Sequence, residues 1–407
     1  MTESKAGPLD GVRVLDLSRV LAGPWATQTL ADLGAEVIKI ERPGSGDDTR
    51  RFGPPFLDRK DGGAGEAAYF VCANRGKRSV TVDISDPEGA ALVRGLAGQC
   101  EVLVENFKVG DLARFGLDYA GLRAANPGLV YCSITGFGQT GPYAARAGYD
   151  YVIQGMGGLM SVTGEAGGEP VKVGVAAADL YAGLYASTAI LAALLHARAS
   201  GEGQHIDLGL FDVQAAILAN QAINYLNTGE VPGRIGNTHA SIVPYQTFAA
   251  ADGALIVAVG NDAQFRALCG VLDAAQLGRD PRFAGNADRV ANRGELTRRL
   301  QAMIGAMPLA HWLPRLEAAG VPSGPINSID KVFAEPQALA RSLVVEQVRE
   351  DLSGPVRTVA SPLRLSETPV AYRRPPPALG ADTDEVLRER LGLSETRLQA
   401  LRERGVI

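Results

Sequence analysis

One carboxylate stands alone in a long uncharged stretch of this 407-residue chain. From Val173 to Leu195 the only charged residue is Asp179, set among Gly, Ala and two Tyr. A carboxylate among apolar residues is unfavourable unless it is hydrogen-bonded or paired. Two readings fit. Asp179 lies in the first turn of a helix, where free backbone N–H groups and the helix dipole stabilise negative charge. Alternatively, it is a nucleophile toward an activated acyl group. The readings are compatible, because a helix start also holds a carboxylate ionised and fixed.

Other residues with chemical potential are fewer. Gly136-Phe-Gly138-Gln-Thr-Gly141 has the GxGxxG spacing and follows a strand-like run. The dinucleotide fingerprint requires a helix directly after the glycines and an acid at the end of the next strand. Here Pro142 and Tyr143 follow, so nicotinamide or flavin binding is not expected. Basic residues recur at strand ends: Arg19, Arg42, Lys77, Arg78, Lys108 and Arg114. Each could be solvated surface, but a ligand carrying several phosphates would need such a set. The four histidines, His196, His205, His239 and His311, have no ligand-type spacing to another His, Cys or acid, so no metal site is expected. No GxSxG elbow supports a serine hydrolase.

The elements that would position these residues alternate regularly. Strand-like runs at Val12–Leu17, Glu36–Glu41, Ser79–Ile84, Val102–Phe107 and Leu129–Ile134 are separated by helical segments. Asp86-Pro87-Glu88 opens one helix with an N-cap, a Pro at the first position and an early acid. Strands separated by helices imply an α/β fold with a parallel sheet covered on both faces. A strand-like Gln204–Leu210 precedes a helix over about Asp212–Leu226. After Asn227 the composition changes to a Gly-rich loop and then a smaller α+β unit. The tail, Asp382–Ile407, reads as a polar-faced helix pair.

Bulk properties bound the function. Charged residues make up 21% and apolar residues 46%, ordinary for a folded soluble chain. The net charge of −5 argues against a broad nucleic-acid surface. Cys72, Cys100, Cys132 and Cys269 are widely spaced and read as free thiols of a reducing compartment. MTESKAGPLDG lacks an apolar signal core, so the protein is expected in the cytoplasm. The Val173–Leu195 stretch has the length of a membrane span, but its composition suits a helix buried in a soluble core. No membrane or nucleic-acid partner is expected.

Several blocks together carry a resemblance: PLDGVRVLDLSRVLAGP, LGAEVIKIERPGSGDDTR, NRGKRSVTVDI, VENFKVGDLARFGL, GYDYVIQGMGGLMSVTG, AAADLYAGLYA and GVPSGPINSIDKVFAEPQ. In this order and nearly end to end, they resemble the class III CoA transferases, the CaiB/BaiF family, which includes formyl-CoA:oxalate transferase and acyl-CoA racemases. The resemblance implies a Rossmann-like large domain over 1–200, completed by 380–407, with a linker over 201–227. It further implies a small α+β domain over 228–325 and a return linker over 326–379. Two chains would form an interlocked, ring-like homodimer. The implied catalytic residue is Asp179. The implied CoA positions are Leu21, Ala22, Arg42, Val82, Asp83, Ile84, Ser85, Asn106, Phe107, Lys108, Arg114, Ala147, Gly148, Tyr149 and Asp150. Coenzyme A would be the substrate, with no cofactor beyond it and no metal. The GFGQTG element becomes a loop near the thioester.

Position 149 separates two activities within the family. Racemases carry His in a GHD motif and use it as one of two bases. This chain reads Gly148-Tyr149-Asp150, which favours CoA transfer over racemisation or epimerisation. The GGGGQ loop of the formyl-CoA enzyme is replaced by IGNTHASIVPYQTF. That segment looks more like the succinyl-CoA:dicarboxylate branch, with glutarate or a related acid as acceptor. A dicarboxylate needs a cation or strong donors for its distal carboxylate, and Arg19, Arg51, Arg146 and His239 are the candidates.

Overall fold

The computed structural model describes residues 7–407. Residues 1–6, part of the segment read above for a signal core, lie outside the described residues. Six short strands form one parallel sheet: β1 (Arg13–Asp16), β2 (Glu36–Glu41), β3 (Lys77–Thr81), β4 (Val102–Glu105), β5 (Val130–Thr135) and β6 (His205–Gly209). Their spatial order is β3-β2-β1-β4-β5-β6, all neighbours parallel. This is the doubly wound order, whose direction reverses between β1 and β4.

Register and the two-residue period of strands divide the apolar side chains between the faces. Val14 pairs with Val37 and Val102, and Leu15 with Ile38 and Leu103. The first row packs with α1 (Ala22–Asp32) and α4 (Ala177–Ser200). The second packs with α2 (Pro87–Ala97) and with two C-terminal helices, Thr383–Leu391 and Glu395–Glu403. Burial on both faces is why these strands read as near-continuous apolar runs. α2 begins as its sequence requires: the Asp86 carboxylate accepts the Glu88 N–H at 2.8 Å and Pro87 opens the helix.

Between β5 and β6 the chain also forms α3 (Asp150–Met156), and β6 leads into α5 (Leu210–Ala216) and α6 (Ala219–Thr228). The expected single helix over 212–226 is therefore two, broken where Ala219 takes φ +47°. The stretch 201–227, read as a linker, supplies the sixth strand. The third strand starts at Lys77 rather than Ser79.

Contacts divide the chain into two compact units. The first comprises the described part of Met1–Leu159, with Val173–Leu226 and Arg341–Ile407. The second is Met160–Lys172 with Asn227–Ala340. It holds a three-stranded antiparallel sheet of Tyr245–Ala249, Ala254–Ala258 and Ser323–Pro325, with a core that includes Phe248, Val257, Phe265, Phe283 and Trp312.

α4 is long and apolar enough to cross a membrane by length and composition. One side of it is made of small residues, Ala178, Ala182, Gly183, Ala186 and Ser187, and this side is buried. Small side chains let it lie close to α1. A Cβ on Gly183 would stand 2.8 Å from the Ala22 carbonyl oxygen. In an open helix Gly→Ala stabilises by about 1 kcal/mol. Here the backbone contact outweighs that gain, and Gly183→Ala is expected to lower stability by about 1–3 kcal/mol in equilibrium urea unfolding. A variant more stable than the parent would show that α1 and α4 are not in tight contact.

Candidate active site

Asp179 lies in the first turn of α4. The helix has no side-chain cap from its own N-cap residue, Ala176. Asp150, the first residue of α3, serves instead: one carboxylate oxygen accepts the Ala178 N–H at 2.8 Å. Buried Gln154 holds Asp150 in place, donating to its other oxygen at 2.8 Å and accepting the Val173 N–H at 2.9 Å. The Asp179 carboxylate itself has no hydrogen bond or ion pair among the described residues. Burial, and then the neighbouring Asp150 charge, push it up to about 7. The helix start therefore does not keep it as acidic as an ordinary carboxylate, because desolvation and a like charge outweigh the dipole.

Asp179 faces a cavity of about 280 Å³. Its walls come from loops at the C-terminal ends of strands: Leu21 and Ala22 after β1, Asn106, Phe107 and Lys108 after β4, and Gly136 after β5. Ala147, Gly148 and Tyr149 complete it. A second cavity, about 400 Å³, is lined by Arg42 after β2, by Val82 to Ser85 after β3, and by Arg114. The two share Arg19, Asp48, Phe107 and Asp111, so they adjoin. The strand order reverses here, which is where open parallel sheets bind ligands. An elongated ligand, anionic at one end and reactive at the other, suits this layout.

The loop after β1 is held in an unusual shape. Val20 takes φ +69°, a left-handed conformation rare for a β-branched residue. Its N–H donates to Asp47 at 3.2 Å. The Asn106 amide accepts the Arg19 N–H at 2.8 Å and donates to the Arg19 carbonyl at 2.6 Å, which ties the β1 and β4 loops together. Glu105, at the end of β4, accepts the Phe107 N–H at 2.7 Å. Burial pushes Glu105 up to about 7 against the hydrogen bonds from Ser133 and Phe107. Asn106's clamp is not visible in local sequence, since its partner Arg19 is 87 residues away and is brought close by the sheet.

Of the catalytic and CoA positions implied by the resemblance, all but Asp150 line one or both cavities. Asp150 lines neither and acts through α4. Lys77 and Arg78 require correction as ligand-facing cations. They open β3, and their charges are consumed by ion pairs, Lys77 with Asp16 at 3.0 Å out of solvent and Arg78 with Glu36 at 3.0 Å in a part-buried pair. Of the four candidates for a distal carboxylate, Arg19 and Arg146 line the Asp179 cavity and Arg51 lines neither cavity. His239 belongs to the second unit, where its ring lies 5.3 Å from Tyr245 and its Nδ1 accepts the Ser241 N–H. The GFGQTG segment runs into a loop, not a helix. A Cβ on Gly136 would meet the Gly148 Cα at 2.6 Å, so the glycines allow this loop to fold back beside the cavity.

Known proteins resemble this chain over nearly its whole length. The family model described as CoA-transferase family III matches residues 9–383. A succinate–glutarate CoA-transferase of Agrobacterium fabrum is 53% identical over 382 residues, covering 94% of this chain and 95% of that protein. A succinyl-CoA:glutarate CoA-transferase of Homo sapiens is 44% identical, covering 98% and 90%. The crystal structure of a CAIB/BAIF family protein from Brucella suis is similar at a TM-score of 0.85 and 49% identity, covering 95% of this chain and 100% of that one.

A carboxyl group is nucleophilic only when ionised, so the raised value of Asp179 sets a sign. Activity toward an acyl-CoA should fall as pH drops through about 7, where the carboxyl takes up its proton. Asp150→Asn removes the like charge while keeping an acceptor for the Ala178 N–H. It should move the acid limb of kcat/KM to lower pH. An acid limb identical in wild type and variant would exclude Asp179 as the titrating group.

Proposed function

The chain belongs to CoA-transferase family III and is a CoA-transferase, and from that premise we propose that it moves CoA from succinyl-CoA to a dicarboxylic acid of glutarate type, with Asp179 as covalent carrier. The observation that carries this reading is the unpartnered Asp179 carboxyl, which faces the same cavity as Leu21, Ala22, Asn106, Lys108 and Tyr149. The relatives named for glutarate support the choice of acid.

In the proposed cycle the Asp179 carboxylate attacks the thioester carbonyl of the donor. The C–S bond breaks, leaving a mixed anhydride and CoA thiolate. The thiolate attacks the aspartyl carbonyl, releases succinate and forms an aspartyl-CoA thioester. The acceptor carboxylate attacks that thioester and expels the thiolate, which then takes the new acyl group and regenerates Asp179. Each step exchanges one acyl bond for another of similar reactivity, so neither ATP nor a metal is required. Backbone N–H groups of the glycine-rich wall are suited to stabilising the oxyanions. Tyr149, where a racemase would carry His, favours transfer over two-base proton exchange.

CoA is proposed to lie along the two cavities, with Arg42 and Arg114 toward its phosphates and Lys108 nearer the thioester. Arg42 and Lys108 have no ion pair among the described residues, which leaves their charge for a ligand. The working form is proposed to be an interlocked homodimer. Supporting this, α4 and α6 expose the large apolar side chains Tyr181, Leu184, Tyr185, Leu195, Tyr225 and Leu226, which a partner surface would cover. The proposed location is the cytoplasm, in keeping with four unpaired cysteines, one of them exposed.

Intact-mass measurement after mixing with succinyl-CoA tests the carrier. The wild type should gain the mass of CoA less water, and Asp179→Ala should gain nothing. The same adduct in both proteins, or in neither, would refute the mechanism.

A further inference from the structure

Among the cations of the cleft, one is held ready and given nothing to bind. Arg146 lines the Asp179 cavity. Its guanidinium carbon lies 4.4 Å from the Tyr143 ring centre and 5.3 Å from that of Phe137. The two rings pack edge-on at 5.5 Å, and Phe137 also lies 6.0 Å from Phe211. Backbone geometry adds to the restraint, since the Arg146 N–H donates to the Tyr143 carbonyl at 2.8 Å. Against this, the guanidinium has no carboxylate partner among the described residues. Among the described residues its side chain's polar contact is to the Met156 sulfur at 3.9 Å, a weak acceptor.

The other cations of this cavity differ. Arg19 is paired with Asp48 at 3.1 Å, so its charge is already offset. Lys108 is a point charge on a flexible stem beside the loop assigned to CoA, and it also borders a separate cavity with Glu105 and His205. A planar fork beside two aromatic rings, its N–H donors held by no carboxylate among the described residues, is suited to bidentate binding of a carboxylate.

We infer that Arg146 binds the distal carboxylate of the dicarboxylic acyl groups that pass through Asp179. This rests on the dicarboxylate reading given above and deepens it. Arg146 touches the substrate end that does not react, so it sets which acids are accepted rather than the covalent chemistry.

The test compares two acceptors of equal chain length, glutarate and pentanoate, with succinyl-CoA as donor. In a double-displacement cycle, kcat/KM for the acceptor reports only the half-reaction in which the acceptor meets the CoA-loaded enzyme. Arg146→Gln should lower kcat/KM for glutarate by about 30- to 100-fold while leaving pentanoate within about 3-fold. Arg146→Lys should fall between Gln and wild type. The pentanoate rate shows in the same sample that the variant is folded and able to load CoA. A parallel fall for both acids, or no fall for glutarate, would overturn the assignment while the wild type still prefers glutarate. A wild type with no preference for glutarate over pentanoate would instead overturn the dicarboxylate reading, and Arg146's role with it.

Discussion

The ammonium of Lys39 lies 2.9 Å from the Asp47 carboxylate, with both side chains wholly out of solvent. Lys39 also donates to the Ser18 carbonyl at 2.8 Å, and Asp47 accepts the Val20 N–H. This pair therefore grips the β1 loop from two sides just before Leu21 and Ala22. A left-handed, β-branched residue costs on the order of 1–3 kcal/mol, and removing one partner from a buried ion pair typically costs about 3–5 kcal/mol. The grip is strong enough to hold the strain. Asp47 is in turn fixed by its neighbours, since its N–H donates to Glu41 and Glu41 pairs with Arg50 at 2.6 Å. Nearby, burial would raise Asp16, but Lys77, Lys39 and the Ser18 and Thr27 hydroxyls hold it down at about 2. A closed set of paired charges thus underlies the floor of the cleft.

Asp179 shows the same physics with the opposite outcome. Asp16 and Asp47 are buried with cations and sit low, whereas Asp179 is half-buried without one and sits high. For the proposed carrier this difference is useful. Both covalent states of Asp179, the anhydride and the thioester, are uncharged at the aspartyl carbonyl. An environment that penalises the free carboxylate therefore favours its acylation, and it relieves repulsion from Asp150 at the same step. The limit is the proton, because a carboxyl raised much further would be neutral and inert at physiological pH. A cation directly on Asp179 would remove that difficulty but would also quench the nucleophile. Capping the helix through Asp150 fixes the position of Asp179 without touching its oxygens.

What could be read from the sequence follows from how local its physical cause is. Five of the six strands were legible because burial on both faces makes a short apolar run. β6 was read as strand-like yet assigned to a linker. It is an edge strand, HIDLG, alternately exposed, and gives a weaker signal. Asp179 stood out because its neighbours are uncharged, and the loop positions stood out because ligands of such sheets gather after the strands. The roles of Lys77 and Arg78 were not legible. Lys77 finds its carboxylate 61 residues away, and Arg78 reaches Glu389 311 residues away. Position along a strand says nothing of such partners. Asp150 was assigned to the ligand by motif, while its geometry makes it a cap for a helix that begins 27 residues later. The strain at Val20 left no trace in local sequence either, since Val is among the residues least suited to that conformation.

Pairing also explains how a chain with net charge −5 can receive a polyanion. Net charge sums over cations that are already spent. Lys39, Arg50, Arg75, Lys77 and Arg78 are buried and matched to acids, so they contribute rigidity and little outward field. Arg42, Lys108 and Arg146 form no salt bridge among the described residues, and they are distributed along the two adjoining cavities: Arg42 in the outer one, Lys108 and Arg146 in the one that holds Asp179. A ligand with phosphates at one end and a carboxylate near its reactive carbon would meet a free cation at each charged group. The pattern of paired and unpaired cations, rather than their number, is what suits this cleft to anions. The buried ion pairs that fix the loops are the condition for that pattern, because they keep the remaining acids from moving to neutralise the free cations.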